Sequence, residues 1–94
     1  MTAGRSNIRD LIFERDSYTC VLCQAHACDA HHVRHRSRGG RTHPHNLVSL
    51  CRFHHDVVHG ITRPQRKEEA AQMIVEYLHD LYAAEIERGR FEGW

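Results

Sequence analysis

Two short pairs of metal-capable residues constrain this 94-residue chain more than anything else in it: Cys20-x-x-Cys23 and Cys51-x-x-His54. Each pair sets a narrow bite, and together they supply the four soft or borderline ligands of a closed tetrahedral zinc site. The 27 residues between Cys23 and Cys51 make a loop across which one ion cross-links two distant segments. A chain this short buries only about 60% of its unfolded surface or a little more. Its core is thin, and small scaffolds of this kind commonly lean on a metal or a disulfide. A structural zinc on Cys20, Cys23, Cys51 and His54 would substitute for the missing core. Cys28, five residues beyond Cys23, breaks the pair pattern and reads as a small packed residue or a spare thiol.

The N-terminus, MTAGRSNIRD, is polar and lacks the apolar stretch of a signal peptide. No apolar run reaches the roughly 18 residues of a membrane span. These features predict a cytoplasmic protein with no membrane partner, and a reducing cytosol argues against disulfides among the four cysteines. Residues 1–63 carry nine Arg against five Asp or Glu, a balance of +4, whereas residues 64–94 carry four basic and seven acidic residues, a balance of −3. The basic part also holds nine of the ten histidines and all four cysteines, and no lysine, since Lys67 lies beyond it. Arginine's planar fork of donors suits phosphate oxygens. Chemistry is therefore expected in the first two-thirds of the chain.

Ile8, Leu11 and Ile12 recur at helical spacing, and Ser6 or Asn7 can cap a helix over about 7–16. "SYTCVLCQ" places β-branched and aromatic residues around a tight Cys-x-x-Cys turn. "DAHHVRHRSRGGRTHPHN" opens as a short strand and becomes a polar loop, with Gly39 and Gly40 marking its turn. "LVSLCRFHHDVVHG" begins as a strand and continues as a helix that Gly60 ends. Thr62 and Gln65 have capping-box spacing, with Pro64 in the first turn, ahead of one long helix over about 64–89. Met73, Ile74, Tyr77, Leu78, Leu81 and Tyr82 form its apolar stripe, which reads as a lid over the core or a dimer face and carries no sign of catalysis. The tail GRFEGW is expected to fray or to dock through Phe91 and Trp94.

Four of the histidines outside the zinc set stand at telling spacings: His31 and His32 on the strand, His55 and His59 one helical turn apart. Adjacent strand residues point to opposite faces. A site of His31, His55 and His59 would then offer three neutral nitrogen ligands and an open position. His32 would stand beside it unligated, with an unperturbed pKa of about 6.5 that suits a general base.

The combination "AHHV … HN … HHDVVH" resembles the HNH endonucleases. The flanking Cys20-x-x-Cys23 and Cys51-x-x-His54 resemble the zinc-bearing branch found in phage, mobile-element and restriction nucleases, with His54 where a second C-x-x-C commonly ends. The resemblance covers about residues 18–60, including the loop RSRGGRTHPHNLVSLC. It implies a small α+β fold, a single domain over 1–94. Its ββα-metal (His-Me finger) core would be stapled by structural Zn2+ and flanked by the N-terminal helix and the long C-terminal helix. By position it implies His31, His55 and His59 as catalytic-metal ligands, His32 as general base and Asn46 as the brace of the loop. The implied activity is Mg2+-, Mn2+-, Ni2+- or Zn2+-dependent hydrolysis of DNA phosphodiesters to 5′-phosphate and 3′-hydroxyl ends. Arg34, Arg36, Arg38, Arg41 and Arg52 are candidate DNA phosphate contacts, which position substrate without reading sequence. His35, His43 and His45 join that set only if protonated, and His26 and His79 are assigned no role. Family analogy also suggests a bacterial or phage-infected cell and phage packaging proteins as partners. Two rival readings are a zinc-stabilised DNA-binding module without catalysis, and an interaction protein that docks through its acidic helix and carries a degenerate motif. Metal counting separates the first two: one tight zinc for the module, zinc plus an exchangeable divalent ion for the nuclease.

Overall fold

A computed structural model describes residues 7–92. Ser6, one of the two candidate caps, and Trp94, one of the two candidate docking residues, lie outside the described residues. The chain builds a small α+β structure: α1 (Ile8–Arg15), β1 (Asp29–His32), β2 (Leu47–Leu50), α2 (Arg52–Val58), α3 (Lys67–Leu81) and α4 (Ala83–Glu87). Asn7 caps α1, its side chain accepting from the Asp10 N–H at 2.9 Å.

The strands pair antiparallel, with Asp29 opposite Leu50 and His31 opposite Val48. All four residues of β2 are buried, so this strand is the spine of the core. Val48 and Leu50 pack with Cys20, Cys51, Ile74 and Leu78. The hydrophobic core thus includes two of the four residues of the Cys/His pairs. Burying Leu50 and Leu78 stabilises the fold by roughly 1.5–3 kcal/mol each relative to exposure.

A polar pin fastens α1 and α3 to β2. Asp16 is buried at the end of α1, and its Oδ2 accepts from the Ser49 N–H at 3.0 Å while its Oδ1 accepts from the Tyr77 hydroxyl at 2.5 Å. Arg15 pairs with Asp16 at 2.8 Å and donates to the carbonyls of Pro44 and Leu47 and to the Tyr82 hydroxyl. Burial and the bond to Asp16 push the Tyr77 hydroxyl up to about 12, so it remains a donor.

The C-terminal segment departs from expectation in three ways. The Thr62–Gln65 capping box does not form, because Arg63 adopts a left-handed conformation (φ 50°) ahead of a 3-10 turn at Pro64–Arg66. A residue preceding proline is disfavoured in the α region. Helix α3 consequently begins at Lys67 with no side-chain cap. The expected helix over 64–89 is also interrupted at Tyr82 (ψ 31°), where the ring lies on His45 with centroids 4.3 Å apart and the hydroxyl is held by Arg15. The buried face of α3 is Ala70, Ile74 and Leu78, whereas Met73 and Leu81 are 46% and 44% exposed. Helix α3 lids the core through this i, i+4 ridge together with the partly buried Tyr77, a contact narrower than the apolar stripe in the sequence. Outside the C-terminal segment, the packed role considered for Cys28 does not hold, since the residue is exposed.

The tail docks through Phe91, which stacks on His45 at 4.9 Å and 7°. The Glu92 N–H donates to His45 Nδ1 at 2.6 Å, and its carboxylate pairs with Arg41. Among the described residues no helix is long and apolar enough to cross a membrane.

Candidate metal centres

Two clusters of ligand-type side chains lie at the two ends of α2. The first gathers Cys20, Cys23, Cys51 and His54. Cys20 begins a tight turn in which the Gln24 N–H donates to the Cys20 carbonyl at 2.9 Å, with Gln24 left-handed at φ 65°. That turn is tied to β2 by Val21 N–H to the Ser49 carbonyl, 3.1 Å. Cys51 caps α2, its sulfur accepting from the His54 N–H at 3.5 Å. One turn of helix then brings His54 back over Cys51.

The spacings within this cluster suit zinc. Cys23 and Cys51 Sγ are 3.7 Å apart, Cys20 Sγ and His54 Nδ1 3.6 Å, and Cys51 Sγ and His54 Nδ1 3.5 Å. A tetrahedron with zinc–sulfur bonds of about 2.3 Å and zinc–nitrogen bonds of about 2.0–2.1 Å has edges of roughly 3.5–3.8 Å. None of the four cysteines is disulfide-bonded. Burial opposes the Cys51 thiolate, but donation from the His54 N–H and hydrogen bonds to Cys23 and Cys20 outweigh it and lower the Cys51 pKa. Burial also lowers the His54 pKa and favours the neutral imidazole that ligation requires. This Cys3His cluster can hold a metal such as zinc.

The second cluster gathers His31 from β1 with His55 and His59 from α2, their donor atoms within 4.8 Å of one another. The His31 ring lies 5.3 Å from His59 and 6.2 Å from His55, edge-on to both. His59 follows as the C-cap of α2, and Gly60 comes next with φ 76°. Desolvation, then the neighbouring His59, His55 and His35, push His31 down to about 4. Burial and then His55 and His35 lower His59 as well. The fold therefore favours the unprotonated state at both, the state that binds a metal. With three nitrogen ligands and a cleft in front of them, the cluster leaves coordination positions open.

His32 stands apart from both clusters. Its Nε2 lies 3.1 Å from Thr42 Oγ1, across the loop. Burial, followed by Arg36 and His35, lowers its pKa, so it is neutral near pH 7. Asn46 is fully buried and braces the same loop: its Oδ1 accepts from the Arg34 N–H at 2.8 Å, and its Nδ2 donates to the carbonyls of Arg34 at 3.2 Å and Arg41 at 2.8 Å. Gly40 is obligatory here, since a Cβ at that position would lie 1.8 Å from the Arg34 carbonyl oxygen.

The five arginines separate. Arg36 lines the cleft in front of His31, His55 and His59, while Arg34 and Arg38 line a larger groove alongside. Arg41 is paired with Glu92 and Arg52 with Asp56, and neither lines the cleft or the groove.

Sequence reading missed Asp29 and Thr42, and gave His35 only a conditional place among the phosphate contacts. Asp29 Oδ2 lies 2.9 Å from His55 Nε2. A carboxylate on a metal-binding imidazole fixes its tautomer and orientation. The available signal was spacing: Asp29 and His31 are two apart on one strand and share a face. His35 reaches the cluster from the loop, 5.9 Å from the His59 ring, and no periodicity announces it. A comparison with protein-family models and a search among curated proteins return no match to this chain.

Proposed function

We propose that this protein is a metal-dependent DNA endonuclease of the HNH type, with β1, β2 and α2 serving as a ββα-metal core. One observation carries the reading: an open three-histidine cluster stands beside a fourth, unligated histidine, at the opposite end of a helix from a closed Cys3His cluster. A structural zinc alone accounts for the Cys3His cluster and leaves the three-histidine cluster without a purpose.

In this reading His31, His55 and His59 hold a divalent ion, Mg2+, Mn2+, Ni2+ or Zn2+. Such an ion would supply Lewis-acid stabilisation of charge on the phosphoryl oxygens and the departing 3′ oxygen. His32 Nε2 lies 3.1 Å from Thr42 Oγ1; in the Nε2–H tautomer it donates to that hydroxyl and leaves the Nδ1 lone pair as the base. His32 takes a proton from the attacking water as the water oxygen bonds to phosphorus, the bond from phosphorus to the 3′ oxygen breaks, and the departing 3′ oxygen takes a proton from solvent, so the ends carry 5′-phosphate and 3′-hydroxyl. Asn46 is a positioning residue, since it acts through the loop. Duplex DNA is the substrate, and the cell is bacterial or phage-infected.

The test is plasmid nicking by zinc-loaded protein, with EDTA and with add-back of each divalent ion. His32→Ala keeps fold and zinc and loses about 10²–10⁴-fold in rate, the range of a general base. A variant that nicks at the wild-type rate refutes the base assignment. Tight zinc with no nicking under any added ion returns the protein to the reading of a zinc-stabilised binding module.

A further inference from the structure

The groove beside the histidine cluster draws on a part of the chain to which the sequence assigns no chemistry. It has a volume of about 840 Å³ and runs between the loop after β1 and the start of α3. His31 and His59 form its end nearest the cleft, and both also line that cleft, so the two spaces are continuous at the cluster. The floor is apolar, from Val58, Ala71 and Ile74. The rim is cationic: Arg34 and Arg38 from the loop, and Lys67, the sole lysine of the chain, from the first turn of α3.

Three features point to a polyanion of defined kind. No carboxylate lines the groove. None of the three rim cations has an ion-pair partner among the described residues, in contrast to Arg15, Arg41, Arg52 and Arg66. No Phe, Tyr or Trp lines the groove, whereas its aliphatic carbons suit the faces of a sugar. Lys67 is placed by local structure. Its side chain folds over Gly60, where a Cβ would come 3.5 Å from Lys67 Cδ and 3.9 Å from Nζ, and this sets the ammonium beside the end of α2.

We propose that this groove holds the sugar–phosphate backbone of the cleaved strand on one side of the scissile phosphate, with Lys67, Arg34 and Arg38 as phosphate contacts and the apolar floor against deoxyribose. The proposal rests on the endonuclease reading. It adds a substrate-binding residue from outside the 18–60 segment, and it makes recognition through the groove independent of sequence.

The test is fluorescence anisotropy of two labelled 20-base-pair DNA duplexes of unrelated sequence, with zinc-loaded full-length protein and no second divalent ion. Lys67→Ala is expected to weaken binding several-fold and equally on both duplexes, and to reduce the slope of log affinity against log salt by about 1. Arg38→Ala behaves alike. Arg66→Ala removes the neighbouring charge, which pairs with Glu69 on another face, and leaves affinity and slope near wild type. Equal affinities for Lys67→Ala and Arg66→Ala overturn the groove, as does a Lys67→Ala loss confined to one sequence or a preference for an RNA duplex of equal length. Plasmid nicking separates the two readings: Lys67-dependent binding without nicking keeps the groove and discards the endonuclease, and nicking with Lys67-independent binding does the reverse. Melting temperatures of the variants, expected unchanged at this exposed residue, confirm that folding is intact.

Discussion

The two metal-type clusters share one short helix and differ in almost every physical respect. The Cys3His cluster joins segments 28 and more residues apart, and two of its members are packed in the core. The all-histidine cluster joins β1 to α2 at the surface and faces a cleft. Sulfur-rich, four-membered and partly buried, the first offers a bound ion a complete ligand set. Nitrogen-only and three-membered, the second leaves room for a ligand from outside. One sequence stretch, Cys51–His59, serves both because a helix turns adjacent side chains through about 100°. His54 faces Cys20 and Cys51, and His55 faces Asp29 and the His31–His59 pair.

Removing metal breaks this comparison most severely. Structural zinc contributes apparent free energies of about 10–16 kcal/mol in small zinc modules, more than the total stability of a typical domain, about 5–15 kcal/mol. A strong zinc chelator should abolish the cooperative thermal transition. Cys51→Ala and His54→Ala should do the same or express as unfolded chains. His55→Ala should keep a cooperative transition and one tightly bound zinc while losing nicking. Circular dichroism melts beside metal counting check this. If His54→Ala and His55→Ala melt alike, the clusters are not separate in function.

Much of this arrangement is readable in the sequence, because ligand sets follow local rules. C-x-x-C and C-x-x-H set their own bite, His55 and His59 follow the helical repeat, and His31 and His32 follow strand alternation. The expected bounds of α1, about 7–16, miss by one residue at each end for a similar reason: Asn7 and the apolar repeat act locally. What escaped depends on tertiary position. Lys67 joins the groove that His31 and His59 line where Arg63 turns left-handed and α3 starts three residues later than the capping pattern suggested. Tyr82 breaks the helix through contacts with Arg15 and His45, distant in sequence. Thr42 reaches His32 through a loop shaped by Asn46 and Gly40. Arg41 and Arg52 resembled Arg34 and Arg38 until their carboxylate partners, Glu92 and Asp56, were placed.

Asp29 sharpens the comparison at smaller cost. It brings one carboxylate to the otherwise all-nitrogen cluster, 2.9 Å from His55 Nε2. Loss of such a partner typically lowers metal affinity about 10–100-fold. Asp29→Asn keeps the shape and removes the charge. Titration calorimetry with Mn2+ or Ni2+ on zinc-loaded protein should show a loss in that range, with zinc content and melting temperature unchanged. An unaltered isotherm would mean that Asp29 only salts the rim of the cleft.

The smallest effect is a dependence on pH that only one cluster should show in a simple form. His31 falls from an ordinary 6.5 to about 4, first through burial and then through its histidine neighbours. Between those values the unfolded chain binds a proton that the folded chain refuses. Stability therefore rises with pH across the window and is lost as pH falls from about 6.5 toward 4. By pH 5 the loss should be on the order of 1–2 kcal/mol, after allowing for the partial exposure of the cleft. Zinc release in acid acts in the same direction, so the wild type must be compared with His31→Gln, which keeps the zinc cluster and removes this titration. Melting both proteins from pH 7.5 to 5, zinc-loaded and without a second ion, should give curves that diverge in acid, the wild type losing more. Parallel curves would show that the fold does not hold His31 neutral, and the nitrogen cluster would then lack the ready-made ligand state that separates it from an ordinary surface group of histidines.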